Sequence, residues 1–260
     1  MELVFSQLLA MLFALWWPFV RTMAMLSATP ILGDGMVPVT VRLLLSLVLS
    51  FVLLPVSQAG ASIDPFSLAG VVATLEQAII GGAMGLAFHF TMSIVTVLGF
   101  MLSSQIGLSM AVMNDPMNGM SSDVVSTLLS IMCIIVFFSV DGHLVLTGVL
   151  AASLKAWPVG GGHGGLDLHG LAMHVAWIFS AALLLALPMI FSTMVVQIGF
   201  GFLNRVAPAL NLFSLGFSLI TVFGLFMLSM VVKFVPDHYV RMTERVLDLL
   251  QSQMQGGAGV

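Results

Sequence analysis

The chain has 260 residues, of which 60% are apolar and only 7% charged, and its mean hydropathy is +1.15. A soluble domain carries about 25% charged residues, so seven basic and eleven acidic side chains cannot clothe a water-facing surface of this length, and the bilayer must be the solvent for much of it. The net charge of −4 excludes a nucleic-acid footprint, which needs a basic face, and the single cysteine, Cys133, excludes both an intrachain disulfide framework and a thiolate zinc site.

Lipid offers no partners to backbone N–H and C=O groups, which leaves helices or closed barrels as spanning structures. Long runs of Leu, Met, Ala and Phe, without alternating ten-residue segments, predict an all-α polytopic fold of long helical hairpins. The first helix is expected at about 3–28. Glu2 stands where a signal peptide carries its cationic region and no small-x-small cleavage site follows Leu8–Val20, so this reads as a retained helix. Thr29-Pro30, Gly33-Asp34-Gly35 and Pro38 then break the chain, and a second helix is expected at about 38–57, with Pro55 near its end. Phe66–Met113 is apolar for about two spans, holding one very long helix or two, with Glu76 and His89 as its ionisable groups. Within it, Gly81 and Gly85 form a small-xxx-small pair that lets helix backbones approach closely.

Asn114-Asp115-Pro116-Met117-Asn118-Gly119 is the next breaker cluster, after which Ser121, Ser122 and Asp123 offer N-caps for a helix at about 124–140. Asp141-Gly142-His143 marks a joint, and an apolar run continues to Trp157. Pro158 and the glycines around His163 predict a flexible loop. A helix at about 169–203, interrupted by Pro188, and a last hydrophobic helix at about 209–235 are separated by Asn204–Pro208. Residues 237–260 form a more polar tail in which Met242, Val246, Leu249 and Leu250 lie opposite Glu244, Arg245 and Asp248, the pattern of an amphipathic helix. Arg21 and Arg42 flank the first loop and would draw it to the cytoplasmic side under the positive-inside rule.

Chemistry is hard to find in this chain. His163, His169 and His174 fall within twelve positions, but spacings of six and five do not align imidazoles on one helix face, so no metal is expected. His89, inside an apolar run, fits a structural interhelical hydrogen bond as well as a transport role. No GxSxG elbow, Walker-A loop or Gly-x-Gly-Asp protease motif occurs, which disfavours an enzyme, and no cofactor is expected. With Glu76 the sole acid well inside an apolar run and no internal repeat, an ion-coupled carrier is also disfavoured, although a secondary transporter or small-solute permease remains the alternative. Methionine is over-used, with 20 copies, and Met110, Met113, Met117 and Met120 surround one breaker. Flexible thioethers pack on irregular surfaces, so these four are either membrane-core filler or part of a pore-facing loop.

Four stretches, in order, resemble the FliR/SctT family of flagellar and virulence type III export-gate proteins. They are Arg21 with Ser27–Leu32, Pro38 and Arg42; Gln105–Met110 leading into Asn114-Asp115-Pro116; Asp141-Gly142-His143 with Leu146 and Trp157–Gly160; and Leu203–Asn211 with Phe213 and Gly216-Phe217. The resemblance covers nearly the whole chain. It implies a non-enzymatic channel subunit of the flagellar type III export gate, in the bacterial inner membrane at the basal body. The implied partners are FliP-like and FliQ-like subunits, FlhB-like and FlhA-like components, and unfolded export substrates. The loop 106–122 would be the plug of the closed pore, with Gln105, Met110, Met113, Asn114, Pro116, Met117, Gly119 and Met120 in or beside it. Asp141, Gly142, His143, Arg205, Pro208 and Asn211 would serve helix joints and assembly.

Overall fold

In the computed structural model, residues 2–33, 37–57, 63–108, 113–115, 120–160, 167–206 and 212–257 are described. The order is α1 (Glu2–Ala28), α2 (Val39–Leu53), α3 (Leu68–Ile106), β1 (Met113–Asp115), β2 (Met120–Ser122), α4 (Val124–Ser139), α5 (Gly142–Ala156), α6 (Leu168–Val206), α7 (Leu212–Val231) and α8 (Val235–Gly257). Among the described residues the regular structure is helical apart from the two three-residue strands. Four helical stretches among the described residues are long and apolar enough to cross a membrane: Phe5–Ala28, Leu68–Ile106, Leu168–Val206 and Gly216–Gln255. The pair α4 and α5, bent by 69°, makes a fifth if counted as one span.

Several boundaries depart from the sequence expectation for definite reasons. The Phe66–Met113 run is one 39-residue helix, started by Ser67, whose hydroxyl accepts the Gly70 N–H at 3.0 Å, and ended at Gly107 in the left-handed conformation, φ 81°. α2 stops at Leu53 rather than 57, because Pro55 brings no N–H to continue the ladder. Pro188 does not interrupt α6, which runs 39 residues through it, as membrane helices tolerate. The last hydrophobic helix closes in a 3-10 turn, Val232–Phe234, and Pro236 then sits in the first turn of α8, where its missing N–H is no loss.

The chain divides into two compact units. The first comprises Met1–Phe90, Phe138–Met173 and Thr243–Val260. In it α1 packs on α2 and approaches α3 so closely that glycine is required: a Cβ on Gly81 would stand 2.2 Å from the Arg21 carbonyl oxygen, and one on Gly85 2.4 Å from that of Met25. Trp17, Ala73 and Val159 form an apolar cluster with Ile63 against it, and the Trp16 Nε1–H donates to Thr74 Oγ1 at 3.0 Å.

The polar centre of this unit is Arg21, which is wholly buried. Its Nε donates to Gln77 Oε1 of α3 at 2.8 Å, and Nη2 donates to the same oxygen. Nη1 donates to the Ser153 carbonyl at 2.6 Å and Nη2 to the Trp157 carbonyl at 2.7 Å, both at the C-terminal end of α5. The guanidinium fork suits this task, since five fixed donors can serve acceptors from two other segments at once. Glu76, also buried, lies near enough to act on Arg21 electrostatically. Arg21 is therefore a tie between α1, α3 and α5 and not a loop charge, so its weight in the positive-inside argument falls away.

The second unit comprises Thr91–Phe137 and His174–Met242. Here α4 lies directly on α3, where Gly99 again permits the contact: a Cβ there would be 2.4 Å from Ser126 Cα. The Ser126 hydroxyl donates to the Thr96 carbonyl at 3.0 Å. Leu98, Leu102, Ile106, Leu129, Cys133 and Met189 are buried. By contrast Phe191, Val195, Phe202, Val222 and Phe226 of α6 and α7 are exposed.

Candidate functional site

The 106–122 loop leaves α3 at one stem and rejoins the helical structure at the start of α4, and both stems are anchored within the second unit. At the first stem, Gln105 Oε1 lies 3.0 Å from Thr193 Oγ1 of α6, and the Ile106 carbonyl accepts from Thr221 Oγ1 of α7 at 3.0 Å. Ile106 needs such a donor, because the last carbonyls of a helix have no N–H ahead of them. Gly107 turns the chain off the helix, and a Cβ there would press on the Phe217 ring at 2.9 Å. Gly224 of α7 provides the matching clearance: a Cβ at that position would stand 2.9 Å from Ile106 Cγ1.

At the second stem, Asp123 is the N-cap of α4. Its Oδ2 accepts the Ser126 N–H at 2.8 Å and the Ser126 hydroxyl at 2.7 Å. Burial pushes this carboxyl up, but the bonds it accepts from Ser126 and the nearby Ser103 hydroxyl outweigh that penalty. The net result lies below the ordinary aspartate value. The single Ser126 hydroxyl proton lies within reach of both Asp123 Oδ2 and the Thr96 carbonyl, and the Gly99 contact keeps this stem against the helix from which the loop departed.

Between the stems, β1 and β2 pair antiparallel, with Met113 opposite Ser122, Asn114 opposite Ser121 and Asp115 opposite Met120. This small ladder supplies hydrogen bonds to backbone that has left the helix. Met113, Asn114 and Met120 thus stand on the strands, while Met110, Pro116, Met117 and Gly119 lie outside the described residues.

The joint residues fall elsewhere. Asp141 is the N-cap of α5 in left-handed backbone, φ 56°; its carbonyl accepts the Leu144 N–H at 2.8 Å, and its side chain makes no cap hydrogen bond. Gly142 is buried and begins α5, and the His143 ring lies 6.0 Å from that of Phe138. Arg205 is exposed in the last turn of α6, where a cation complements the helix dipole, and Pro208 and Asn211 lie outside the described residues. His89 is exposed on α3. His169 and His174 stand in the first turns of α6, His163 lies outside the described residues, and no group of three His, Cys, Asp or Glu able to hold a metal occurs among the described residues.

Sequence reasoning singled out Gln105 but missed Thr193 and Thr221, which hold this end of α3. Threonine inside a hydrophobic helix satisfies its hydroxyl on its own backbone, and nothing in spacing distinguishes the two that also reach another helix. Arg21 was visible as a charge flanking the first loop and as part of the first family-like stretch, not as a buried tie between helices.

The family model described as bacterial export proteins, family 1, matches residues 12–246. The flagellar biosynthetic protein FliR of Pectobacterium carotovorum subsp. carotovorum is 31% identical over 238 residues, 90% of each chain. The FliR protein of Escherichia coli strain K12 is 28% identical over 251 residues, 96% of each. The surface presentation of antigens protein SpaR of Salmonella typhimurium is 25% identical over 199 residues, 75% of this chain and 74% of its own.

Proposed function

The chain belongs to family 1 of the bacterial export proteins, and from that premise we propose that it is a non-enzymatic channel subunit of the flagellar type III export apparatus. It sits in the inner membrane at the basal body and assembles with FliP-like and FliQ-like subunits, alongside FlhB-like and FlhA-like components. Together they form a portal for unfolded export substrates, and the 106–122 loop seals the closed pore.

The observation that carries the assembly is helix length set against exposure. At 1.5 Å per residue, α3 and α6 are each roughly 58 Å long, about twice the ~30 Å hydrocarbon core. A bilayer therefore covers only part of each. On α6, Phe179, Leu184, Phe191, Val195, Phe202 and Val206 are exposed along nearly the full length. Apolar surface beyond the lipid needs protein to cover it. For the seal, the support is the pair of anchored stems carrying a methionine-rich segment between them, since thioethers pack against irregular surfaces and repack when displaced.

Native mass spectrometry of the chain co-expressed with FliP-like and FliQ-like proteins tests the assembly, a stable hetero-oligomer being expected. Saturable solute uptake by the chain alone, without such a complex, would overturn it in favour of a permease. Deleting Val112–Gly119 tests the seal: the complex should still assemble and should pass small solutes, and unchanged permeability would refute the plug.

A further inference from the structure

Three buried polar atoms around Arg21 have no hydrogen-bond partner among the described residues: Glu76 Oε1, Gln77 Nε2 and Trp157 Nε1. Their hydrogen-bonding roles are fixed. The Arg21 guanidinium only donates, so the Gln77 oxygen must face it and the Gln77 NH2 must point elsewhere as a donor. The Trp157 indole can only donate, and the Glu76 carboxylate oxygen accepts. The three residues belong to one centre. Arg21 bonds the Gln77 side chain and the Trp157 carbonyl, and Glu76, next to Gln77 in α3, acts on Arg21 electrostatically. Gln77 is wholly buried, Trp157 is 2% exposed and Glu76 9%, so a side chain of another subunit has no route to them.

We propose that the Arg21 centre is a binding site for internal water, which accepts from Gln77 Nε2 and Trp157 Nε1 and donates to Glu76 Oε1. Charge and valence select this ligand. Two N–H groups beside a guanidinium repel a cation, and the Glu76 carboxylate repels an anion. What fits is small and neutral, accepts twice and donates once. Water meets all of this, and about three hydrogen bonds are the usual complement of a buried water molecule. The site also accounts for Glu76, the sole acid well inside an apolar run, where an ionisable group is costly unless it has a task. Arg21 then ties α1, α3 and α5 directly. The water adds a second link, joining the outstanding polar atoms of α3 to the indole of Trp157, which caps the end of α5.

The test uses the full chain in lipid nanodiscs, with isotope-labelled tryptophan indoles and magnetisation transfer from water as the readout. Trp157→Phe keeps the backbone carbonyl that Arg21 uses and assigns the Trp157 signal among the four indoles. Should that variant not fold, a label placed at position 157 alone gives the assignment. The Trp157 N–H is expected to receive magnetisation from water and yet to exchange slowly with deuterium, because the residue is buried. Glu76→Leu removes the acceptor and should lower the transfer about fivefold, the effect of losing one hydrogen bond of ordinary strength. Glu76→Gln keeps an acceptor oxygen and should hold the wild-type transfer. No transfer in the wild type, or a direct contact between the indole and the Glu76 carboxylate, would overturn the site, and this measurement decides alone if Glu76→Leu does not fold. Transfer unchanged in Glu76→Leu would overturn it as well. So would an equal loss in both Glu76 variants, since an amide oxygen accepts from water as a carboxylate does.

Discussion

Replacing Arg21 by alanine should be the most damaging single change in the first unit. The substitution removes the donors to Gln77 Oε1 and to the Trp157 carbonyl, and takes away a cation that interacts with Glu76. The Ser153 carbonyl is spared, because the Trp157 N–H still reaches it at 2.9 Å. Each stranded buried acceptor is worth about 1–3 kcal/mol, and breaking a buried charged contact about 3–5 kcal/mol in all. Interhelical bonds in membranes average nearer ~0.6 kcal/mol, because the unfolded state also finds partners there. Between these limits we expect a loss of about 3 kcal/mol for Arg21→Ala. Arg21→Lys keeps the charge but lacks the fork that serves Gln77 and two carbonyls together, so about half that loss is expected. Steric-trapping or detergent-titration unfolding of the full chain in bicelles would measure both. An Arg21/Gln77 double-mutant cycle should give a coupling of about 1–2 kcal/mol. Arg21→Ala within ~0.5 kcal/mol of wild type, or a coupling indistinguishable from zero, would refute the three-segment tie.

Three further outcomes follow from neighbouring features. Gly81→Ala should destabilise the chain by about 1–3 kcal/mol, because its Cβ meets the Arg21 carbonyl. Gly82→Ala, whose Cβ would meet nothing within 4 Å, should instead stabilise it by up to ~1 kcal/mol through helix propensity; thermal unfolding of the pair in detergent decides. Asp123 has a depressed folded-state value, so its stabilising effect is present above the unfolded aspartate value and is lost as pH falls through the folded one. Asp123→Ala should therefore reduce stability by about 1 kcal/mol at neutral pH and flatten the acid limb of a stability–pH curve, and an unchanged acid limb would count against the cap. At Asp141, whose backbone is left-handed, Asp141→Val should lower the melting temperature by an amount equivalent to about 1–2 kcal/mol while Asp141→Gly leaves it unchanged or raised; equal effects would mean the bend is not held there.

The helices were legible because hydropathy and breakers carry most of the information when lipid is the solvent. Residues 3–28 and 124–140 were read within two residues of α1 and α4 at either end, since breakers or caps bound both segments. Breakers misled where a hydrophobic helix tolerates them, as at Pro188, and expectations were ambiguous where a long run held no proline at all, as along α3. The site divides in the same way. Gln105 and the methionine segment stand out as a composition change. Thr193, Thr221 and Arg21 do not, because their significance lies in partners 88, 115 and up to 136 residues away in the chain. The β1–β2 pairing was equally hidden, three residues per strand being too short for any period to register.

The tie at Arg21 also constrains how the protein is made. Its partners are Gln77, 56 residues later, and the Ser153 and Trp157 carbonyls, 132 and 136 residues later. When α1 emerges from the ribosome it carries an arginine whose insertion alone is unfavourable, by about 2.5–3.5 kcal/mol near the middle of a membrane helix. The acceptors that relieve it do not yet exist. Burial of Arg21 in its final contacts therefore waits until synthesis has passed Trp157, and nascent chains truncated before that point are expected to hold α1 less stably than the full chain, which protease protection of the two would measure. Translational timing is in this way written into the fold through one side chain.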